Sequence, residues 1–371
     1  MKTLHRLGAL WLLCMVGPTQ AQEPAKAPEQ RSFLSVPETV SKEWQEALAA
    51  RRDPNTGSAF PAPDNVEAWK HIHQLIEAHL EPKVEAAVQR YEPTIARRTL
   101  GGVDVLDIKP KGWHDDGKLL VFMHGGAYTV GSARSSLGTS LLVAHETGLR
   151  VVSVDYTVAP LAQFDQVTDE VVAVLQALAK QGYSPQDIAL FGASSGGALA
   201  AGSVLKMRDQ GLPMPAAVAL WSPWADITQT GDTYSTLKRA EANYVYEKHL
   251  KPSADAYADP EDQKHPYVSP VYGDFTKGYP PTLIQGGTKE IFLSNFVRLY
   301  QALDTAGQWV KLDLYEGMPH IFQAQLPDSP ESKQALGKMK RFLSEHLKSP
   351  GLDPVGETGP VQDPQPDGSS Q

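Results

Sequence analysis

Residues 188–207 read IALFGASSGGALAAGSVLKM, and this stretch decides the fold. The short apolar run at 188–191 is typical of a buried strand, and the small and apolar residues at 198–207 are typical of a helix. Between them stands GASSGG at 192–197. Glycines two positions before and two after Ser194 allow the chain to pass close to itself in a sharp turn. A strand-turn-helix unit of this kind exposes its central serine at the edge of a sheet, so it predicts a nucleophile at Ser194.

The G-x-S-x-G spacing alone is a weak signal, because glycine and serine also build ordinary turns. Its place between a strand and a helix favours a nucleophile elbow. Ser195 is the rival nucleophile, but only Ser194 stands at the centre of the motif. We therefore expect Ser195 to supply a backbone N–H instead.

A second glycine motif, HGGAY at 124–128, follows the apolar run at 119–123. Attack on an ester carbonyl creates a negatively charged oxygen, which needs preorganised hydrogen-bond donors. We expect the backbone N–H groups of Gly125, Gly126 and Ser195 to be those donors. The alternatives are a turn that merely ends a strand or a phosphate loop. A phosphate loop is disfavoured because no Lys-Ser/Thr follows the glycines.

The serine hydroxyl is a poor nucleophile near neutral pH and needs a base. His320 stands in EGMPH at 316–320, just after the predicted strand at 310–315. This position places it on a loop at the same edge of the sheet as Ser194. A lone loop histidine is often a surface residue, but the order of the motifs favours His320 as the base.

The base in turn needs a carboxylate that holds its tautomer and stabilises the imidazolium. Glu290, in GGTKE at 286–290, is the acid close behind the predicted strand at 282–285. The chain order serine, acid, histidine is the order expected of this fold. A surface glutamate paired with Lys289 is the alternative interpretation, and Asp274 and Asp313 are more distant candidates for the acid.

Apolar runs alternate with helical patterns along most of the chain. This alternation predicts an α/β fold with a mostly parallel central sheet flanked by helices on both faces. A hairpin is expected at the two-residue turn Gly101-Gly102. The expected strands are 94–100, 103–108, 119–123, 151–154, 188–191, 217–221, 282–285 and 310–315, and the expected helices are 41–52, 66–91, 167–178, 198–207, 296–306 and 332–346.

Residues 1–21 have the layout of a secretory signal peptide: two early positive charges, an apolar stretch at 7–16 and small residues up to Ala21. A membrane anchor is disfavoured because spanning needs about 20 apolar residues, and a lipoprotein site at Cys14 is disfavoured because Leu13 is not small. We expect cleavage near Ala21 and a periplasmic or secreted protein. The further expected divisions are a leader with cap helices at 22–92, a catalytic domain at 93–348 with a probable cap insertion at 226–279, and a disordered tail at 349–371.

The composition excludes several classes of protein. The formal net charge of the 371 residues is −9, which disfavours nucleic acid as a partner. Cys14 is the one cysteine and lies in the predicted signal, so zinc fingers, thiol proteases and thiol redox chemistry are not expected. We expect no metal, no cofactor and no stable membrane insertion. The oligomeric state is not predicted.

Five motifs make the chain resemble the bacterial esterases related to hormone-sensitive lipase. The resemblance covers about 119–343 and implies an α/β-hydrolase domain with a helical cap built partly from the N-terminal segment. It also implies cofactor-free hydrolysis of short- to medium-chain esters through an acyl-enzyme, and some relatives open lactones, including ε-lactones. The motifs are HGGAY at 124–128, Asp155-Tyr156 with Ala159-Pro160, the elbow at Ser194, SPWAD at 222–226 and GMPH at 317–320.

Three departures from the family pattern stand out. Ala193 and Ser195 flank the nucleophile where Asp and Ala are usual, so activity is expected to be reduced or retuned. Glu290 replaces the more common Asp, and Ser294 and Asn295 stand where relatives often carry acids. The rival functions are an amide or N-acetyl hydrolase on the same triad and a binding protein on a disabled hydrolase scaffold.

Overall fold

The computed structural model describes residues 34–347. The predicted signal peptide, residues 22–33 of the leader and the tail at 349–371 lie outside the described residues, so export and the order of the tail stay predictions. Among the described residues, no helix combines the length and the apolar character that crossing a bilayer requires.

Eight strands form one sheet in the order β1-β2-β4-β3-β5-β6-β7-β8. The hairpin β1–β2 is antiparallel, β2 is antiparallel to β4, and every pair from β4 to β8 is parallel. The predicted α/β fold with a mostly parallel sheet is confirmed. The strands are β1 (Thr94–Leu100), β2 (Val103–Lys109), β3 (Leu119–Met123), β4 (Arg150–Val154), β5 (Ile188–Ala193), β6 (Ala217–Trp221), β7 (Thr282–Gly287) and β8 (Val310–Tyr315).

Helices cover both faces of this sheet. Alternate residues of β3 show the two layers, because side chains along a strand point to opposite faces. Val121 joins the apolar cluster that contains α4, α5 and α8, whereas Phe122 joins the cluster that contains α3 and α10. The helices are α1 (Lys42–Ala49), α2 (Val66–Tyr91), α3 (Leu137–Thr147), α4 (Phe164–Lys180), α5 (Ser195–Asp209), α6 (Thr233–Thr236), α7 (Lys251–Tyr257), α8 (Leu293–Thr305), α9 (Phe322–Gln325) and α10 (Pro330–His346).

Some element boundaries differ from the predictions. Helix α5 begins at Ser195 and not at 198, because the turn at the elbow is a single residue wide and Ser194 itself is the N-cap. Helix α3 was not predicted. Its residues from Leu141 to Ala144 are all buried, and four consecutive apolar residues carry no helical spacing.

Residues 226–279, which we call the insert, contribute no strand to the sheet. The insert contacts the N-terminal segment that precedes α2. The amide of Phe60 donates to the carbonyl of Lys248 at 2.8 Å, and the Lys248 ammonium donates to the carbonyl of Asn55 at 2.6 Å. The rings of Phe60 and His249 lie 5.4 Å apart, edge to face. The two segments are therefore in contact, while the cap and the domain boundaries stay predictions.

Candidate active site

Ser194 joins the end of β5 to the start of α5 with φ 59° and ψ −125°. A non-glycine residue held in such a region costs roughly 1–3 kcal/mol, so the surroundings must enforce it. They do so through the backbone: the Ser194 amide donates to the Trp221 carbonyl at 2.8 Å, and the Trp224 amide donates to the Ser194 carbonyl at 3.0 Å. Both partners flank the end of β6, which runs beside β5. The elbow is thus locked to the neighbouring strand.

The two glycines of the elbow are required by close backbone contacts. A Cβ on Gly192 would lie 2.1 Å from the carbonyl oxygen of Gly196. A Cβ on Gly196 would lie 2.2 Å from the carbonyl oxygen of Met123, at the end of β3. Real Cβ atoms do not approach backbone this closely, so only glycine fits at either position. The close passage of the chain that the glycine spacing predicted is therefore present at the elbow.

The loop after β3 lies directly against the nucleophile. A Cβ on Gly125 would stand 3.1 Å from the Ser194 Cβ. Gly126 has φ +114°, and Tyr128 also has a positive φ, 66°. The Tyr128 amide donates to the Ser195 hydroxyl at 3.2 Å, which ties this loop to the first residue of α5. Gly125, Gly126 and Ser195 are therefore brought together beside Ser194, at a helix N-terminus where unpaired amides favour a negative charge.

His320 and Glu290 form a buried pair. The imidazole Nδ1 and the carboxylate Oε2 lie 2.7 Å apart, and neither residue is more than 3% exposed. The other carboxylate oxygen accepts the Ser222 hydroxyl at 2.9 Å and the Gly287 amide at 2.6 Å. An ionised carboxylate can accept several N–H and O–H hydrogen bonds at once, as Glu290 does here. Glu290 is therefore placed to orient the imidazole and is not a surface residue paired with Lys289.

The second imidazole nitrogen, Nε2 of His320, is buried and has no hydrogen-bond partner among residues 34–347. A buried polar atom left in this way costs about 1–3 kcal/mol and calls for an explanation. Within this part of the chain, His320 Nε2 makes no hydrogen bond to the Ser194 hydroxyl. Such bonds are often long before substrate binds and tighten in the reacting complex. Tyr244 and Phe292 pack edge-on against the imidazole, with ring centroids 5.1 and 5.3 Å away.

Ser222 begins the SPWAD motif at 222–226, but its residue type and place in the sequence indicated no role for it. Its hydroxyl donates to Glu290 and accepts the amide of Ile321, next to the histidine, at 3.1 Å. Its own amide donates to the Gln285 carbonyl at 2.7 Å, and its φ is 46°. Ser222 directly follows Trp221, to which the Ser194 amide is bonded. It therefore links the acid, the histidine loop and the elbow.

The alternative acids lie elsewhere. The Asp313 carboxylate accepts the Gln285 amide group at 2.9 Å and pairs with Lys338. The Asp274 carboxylate accepts the amide of Thr276 at 3.1 Å in an exposed turn. Among the described residues, neither carboxylate bonds His320.

The positions that depart from the family pattern make specific contacts of their own. The Ser194-flanking Ala193 is buried. The Ser294 hydroxyl accepts that of Thr233 at 2.8 Å, and the Asn295 side-chain oxygen accepts the Asp226 amide at 2.5 Å. Neutral side chains at the start of α8 thus hold the insert. In the part of the chain that the structure describes, no group of three or more His, Cys, Asp or Glu could bind a metal ion.

Comparisons with known proteins agree with this fold. Residues 120–324 match a family model described as the α/β hydrolase fold. An acetyl-hydrolase of Streptomyces hygroscopicus is 34% identical over 62% of this chain and 76% of that protein. An esterase of Acinetobacter venetianus is 32% identical over 68% of this chain and 83% of the length of that esterase.

Solved structures give the same result. A crystal structure of an esterase E25 superimposes with a TM-score of 0.78 at 28% identity, and the match covers 89% of this chain and 99% of the other. An esterase of the bacterial hormone-sensitive lipase family superimposes with a TM-score of 0.66 at 32% identity, covering 69% of this chain and 85% of the other.

Proposed function

This chain belongs to the α/β-hydrolase fold family and is a carboxylic ester hydrolase; from that premise we propose that Ser194, His320 and Glu290 are its catalytic triad. The observation that carries the proposal is the buried contact of 2.7 Å between His320 Nδ1 and Glu290, with Nε2 left unpartnered. A carboxylate that holds Nδ1–H leaves Nε2 as the acceptor, which is the tautomer that a general base needs.

The reaction follows from these positions. Ser194 Oγ attacks the ester carbonyl while His320 Nε2 takes the hydroxyl proton, and the N–H groups of Gly125, Gly126 and Ser195 bind the oxyanion. The imidazolium then gives its proton to the leaving alcohol as the carbon–oxygen bond breaks. Water, deprotonated by the same imidazole, attacks the acyl-enzyme. The bond between the acyl carbon and Ser194 Oγ then breaks, the carboxylic acid leaves, and the imidazolium returns its proton to Oγ.

The substrate that we propose carries a short acyl group. Ser194 is 4% exposed and His320 is 3% exposed, so the reacting atoms lie beneath the surface, where a short acyl group needs the least room. A cavity of about 310 Å³ lies beside α2, but its lining includes neither of these residues. Relatives named acetyl-hydrolase and acetyl esterase support the same choice. A panel of nitrophenyl esters and ε-lactones should show the highest kcat/KM at the shortest acyl chains, and a maximum at medium chain length or on lactones would contradict it.

Replacement of the nucleophile tests the triad. In Ser194→Ala we expect kcat for nitrophenyl acetate to fall by about 10⁶-fold, as in other serine hydrolases. A fluorophosphonate probe should label the unmodified enzyme at Ser194 and leave the variant unlabelled, because only an activated serine reacts. Ser195→Ala, the rival serine, should still be labelled. Full activity of Ser194→Ala, or an unlabelled native enzyme, would remove the basis for the proposal.

A further inference from the structure

Glu241 is a fully buried carboxylate in the insert, and the reaction above does not use it. One of its oxygens accepts the amide of Asn243 at 2.7 Å, and the other accepts the amide of Ile291 at 3.1 Å. Ile291 belongs to the acid loop, residues 288–292, and directly follows Glu290. Glu241 therefore fastens the insert to the loop that carries the proposed triad acid.

The two amides that Glu241 holds have a common property. Asn243 precedes Tyr244, and Ile291 precedes Phe292. These are the two rings that pack edge-on against the imidazole of His320, at 5.1 and 5.3 Å. One carboxylate thus fixes the backbone on both sides of the histidine.

The charges around Glu241 come from three other segments. Burial raises the pKa of Glu241; the imidazole of His320 opposes this, and the carboxylate of Glu290 adds to it. Arg51, after α1, supplies a positive charge: burial lowers the pKa of its guanidinium, and Glu241 acts against that effect. Arg51 itself bonds Gln325, whose amide group donates to the His320 carbonyl. The two backbone N–H donors favour the ionised form of Glu241 against the effect of burial, and an ionised carboxylate stabilises an imidazolium that forms at His320.

We propose that Glu241 is a positioning residue of the active site, which holds Tyr244 and Phe292 against His320 and places a second buried carboxylate between the two segments that flank the imidazole. The inference rests on the proposed role of His320 as the base. During the reaction the imidazole gains a proton, and Glu241 favours that charged form together with Glu290. An anchor with a purely structural role would hold the insert but would leave the pH profile of kcat/KM unchanged.

Two variants are compared, one without the charge and one with a shorter side chain. Glu241→Gln removes the negative charge and keeps the side-chain length, although its amide oxygen can accept only one of the two backbone N–H groups, because its NH₂ group donates. With the charge gone, an imidazolium at His320 is less stabilised. The acid limb of the pH profile of kcat/KM should move to lower pH by roughly 0.5–1 unit, less than for a contacting ion pair. We expect kcat to fall about 10-fold with KM nearly unchanged, in line with the loss of one ionic interaction in the transition state. Glu241→Asp keeps the charge but shortens the reach, so kcat should fall while the acid limb stays in place.

The matched control is Glu247→Gln in the same insert, where the carboxylate is exposed and pairs with Lys238. Its profile should match that of the unmodified enzyme, and thermal unfolding should show that each variant is folded. An acid limb of Glu241→Gln that superimposes on the native one, or a change in KM alone, would overturn the inference. If Glu241→Gln does not fold, Glu241→Asp decides: native kcat overturns the inference, and a lowered kcat with native KM and native thermal stability supports it, because the loss of a purely structural anchor would lower the stability.

The experiments distinguish a failure of the proposed triad from a failure of the role proposed for Glu241. If Ser194→Ala retains activity, the triad fails and Glu241 loses its role with it. If Ser194→Ala is inactive while both Glu241 variants behave as the native enzyme, the triad stands and only the role of Glu241 is lost.

Discussion

The two sides of the proposed active site are held in different ways. Ser194 and the glycine loop beside it are fixed by backbone: a left-handed turn, amide-to-carbonyl bonds and glycines that allow chains to touch. His320 and Glu290 are fixed by side chains that come from distant segments, including Ser222 and Glu241. Backbone constraints require glycine at set positions, so they can be recognised in the sequence as a motif. Side-chain constraints produce no fixed spacing in the sequence, because the partners come from distant segments and meet only in the folded protein.

The largest effect is expected where backbone constrains the nucleophile. In Gly196→Ala the new Cβ would meet the carbonyl oxygens of Met123 and His124 at 2.2 and 2.3 Å. Neither oxygen can move without shifting β3, so the elbow and the glycine loop are displaced together. We expect either no soluble folded enzyme or a loss of hydrolysis comparable with the roughly 10⁶-fold loss of a missing nucleophile. Soluble yield, thermal unfolding and nitrophenyl acetate hydrolysis measure this.

Gly337→Ala is the control for the same change of residue. Gly337 lies in α10, and nothing stands within 4 Å of a Cβ added there. Alanine in a helix is favoured over glycine by up to about 1 kcal/mol, so the control should be active and no less stable. An active and stable Gly196→Ala would show that the nucleophile side is not held by its backbone contacts.

The next effect tests the side chains. Glu290→Gln keeps the size of the acid but places an amide group opposite Nδ1 of His320, where it can act as a donor. The imidazole then carries its proton on Nε2 and cannot accept the serine proton. We expect kcat to fall by about 10⁴-fold, as for the equivalent change in another triad, and by less than in His320→Ala, which removes the base. Rates on nitrophenyl acetate at saturating substrate measure both.

Asp313→Asn is the control, because Asp313 was a candidate acid and is also buried. Its carboxylate bonds Gln285 and Lys338 and, among the described residues, makes no bond to His320. Activity within a few-fold of native is expected. If Asp313→Asn lost more activity than Glu290→Gln, the triad acid would have to be assigned elsewhere.

The same contrast explains what the sequence could predict. The mostly parallel sheet, the α/β-hydrolase fold and the family resemblance were predicted and are confirmed. The residues Ser194, Gly125 and Gly126 were found from glycine spacing, and the structure brings them together. His320 and Glu290 were found from their places after strands, because parallel strands end at one edge of a sheet. Their catalytic roles stay predictions until the variants are measured.

Other features left no readable signal. Helix α3 escaped prediction because its four consecutive apolar residues, Leu141 to Ala144, are all buried and show no helical spacing. Glu241 looks like any charged residue in a polar stretch, and only its burial marks it. The cap interpretation of 226–279 rested on a change of composition, which shows where a sheet is interrupted but not which side chains reach the active site.

The smallest of these effects is expected for Ser222→Ala. The change removes one bond to Glu290 and one to the amide of Ile321, but the acid keeps its bonds to His320 and Gly287. A hydrogen bond to a charged group contributes about 1.5–3 kcal/mol, so kcat should fall about 10- to 100-fold while KM changes little. Steady-state kinetics on nitrophenyl acetate, with thermal unfolding as the check of folding, measure this.

Ser203→Ala is the matched control, since the Ser203 hydroxyl is buried in α5 and has no hydrogen-bond partner among the described residues. Its removal should leave kcat unchanged and stability equal or slightly higher, because an unsatisfied buried group is lost. If Ser222→Ala were as active as Ser203→Ala, the histidine side would not depend on its side-chain supports. A loss in Ser222→Ala as large as that of Glu290→Gln would mean that Ser222, rather than the backbone amide of Gly287, holds the acid in place.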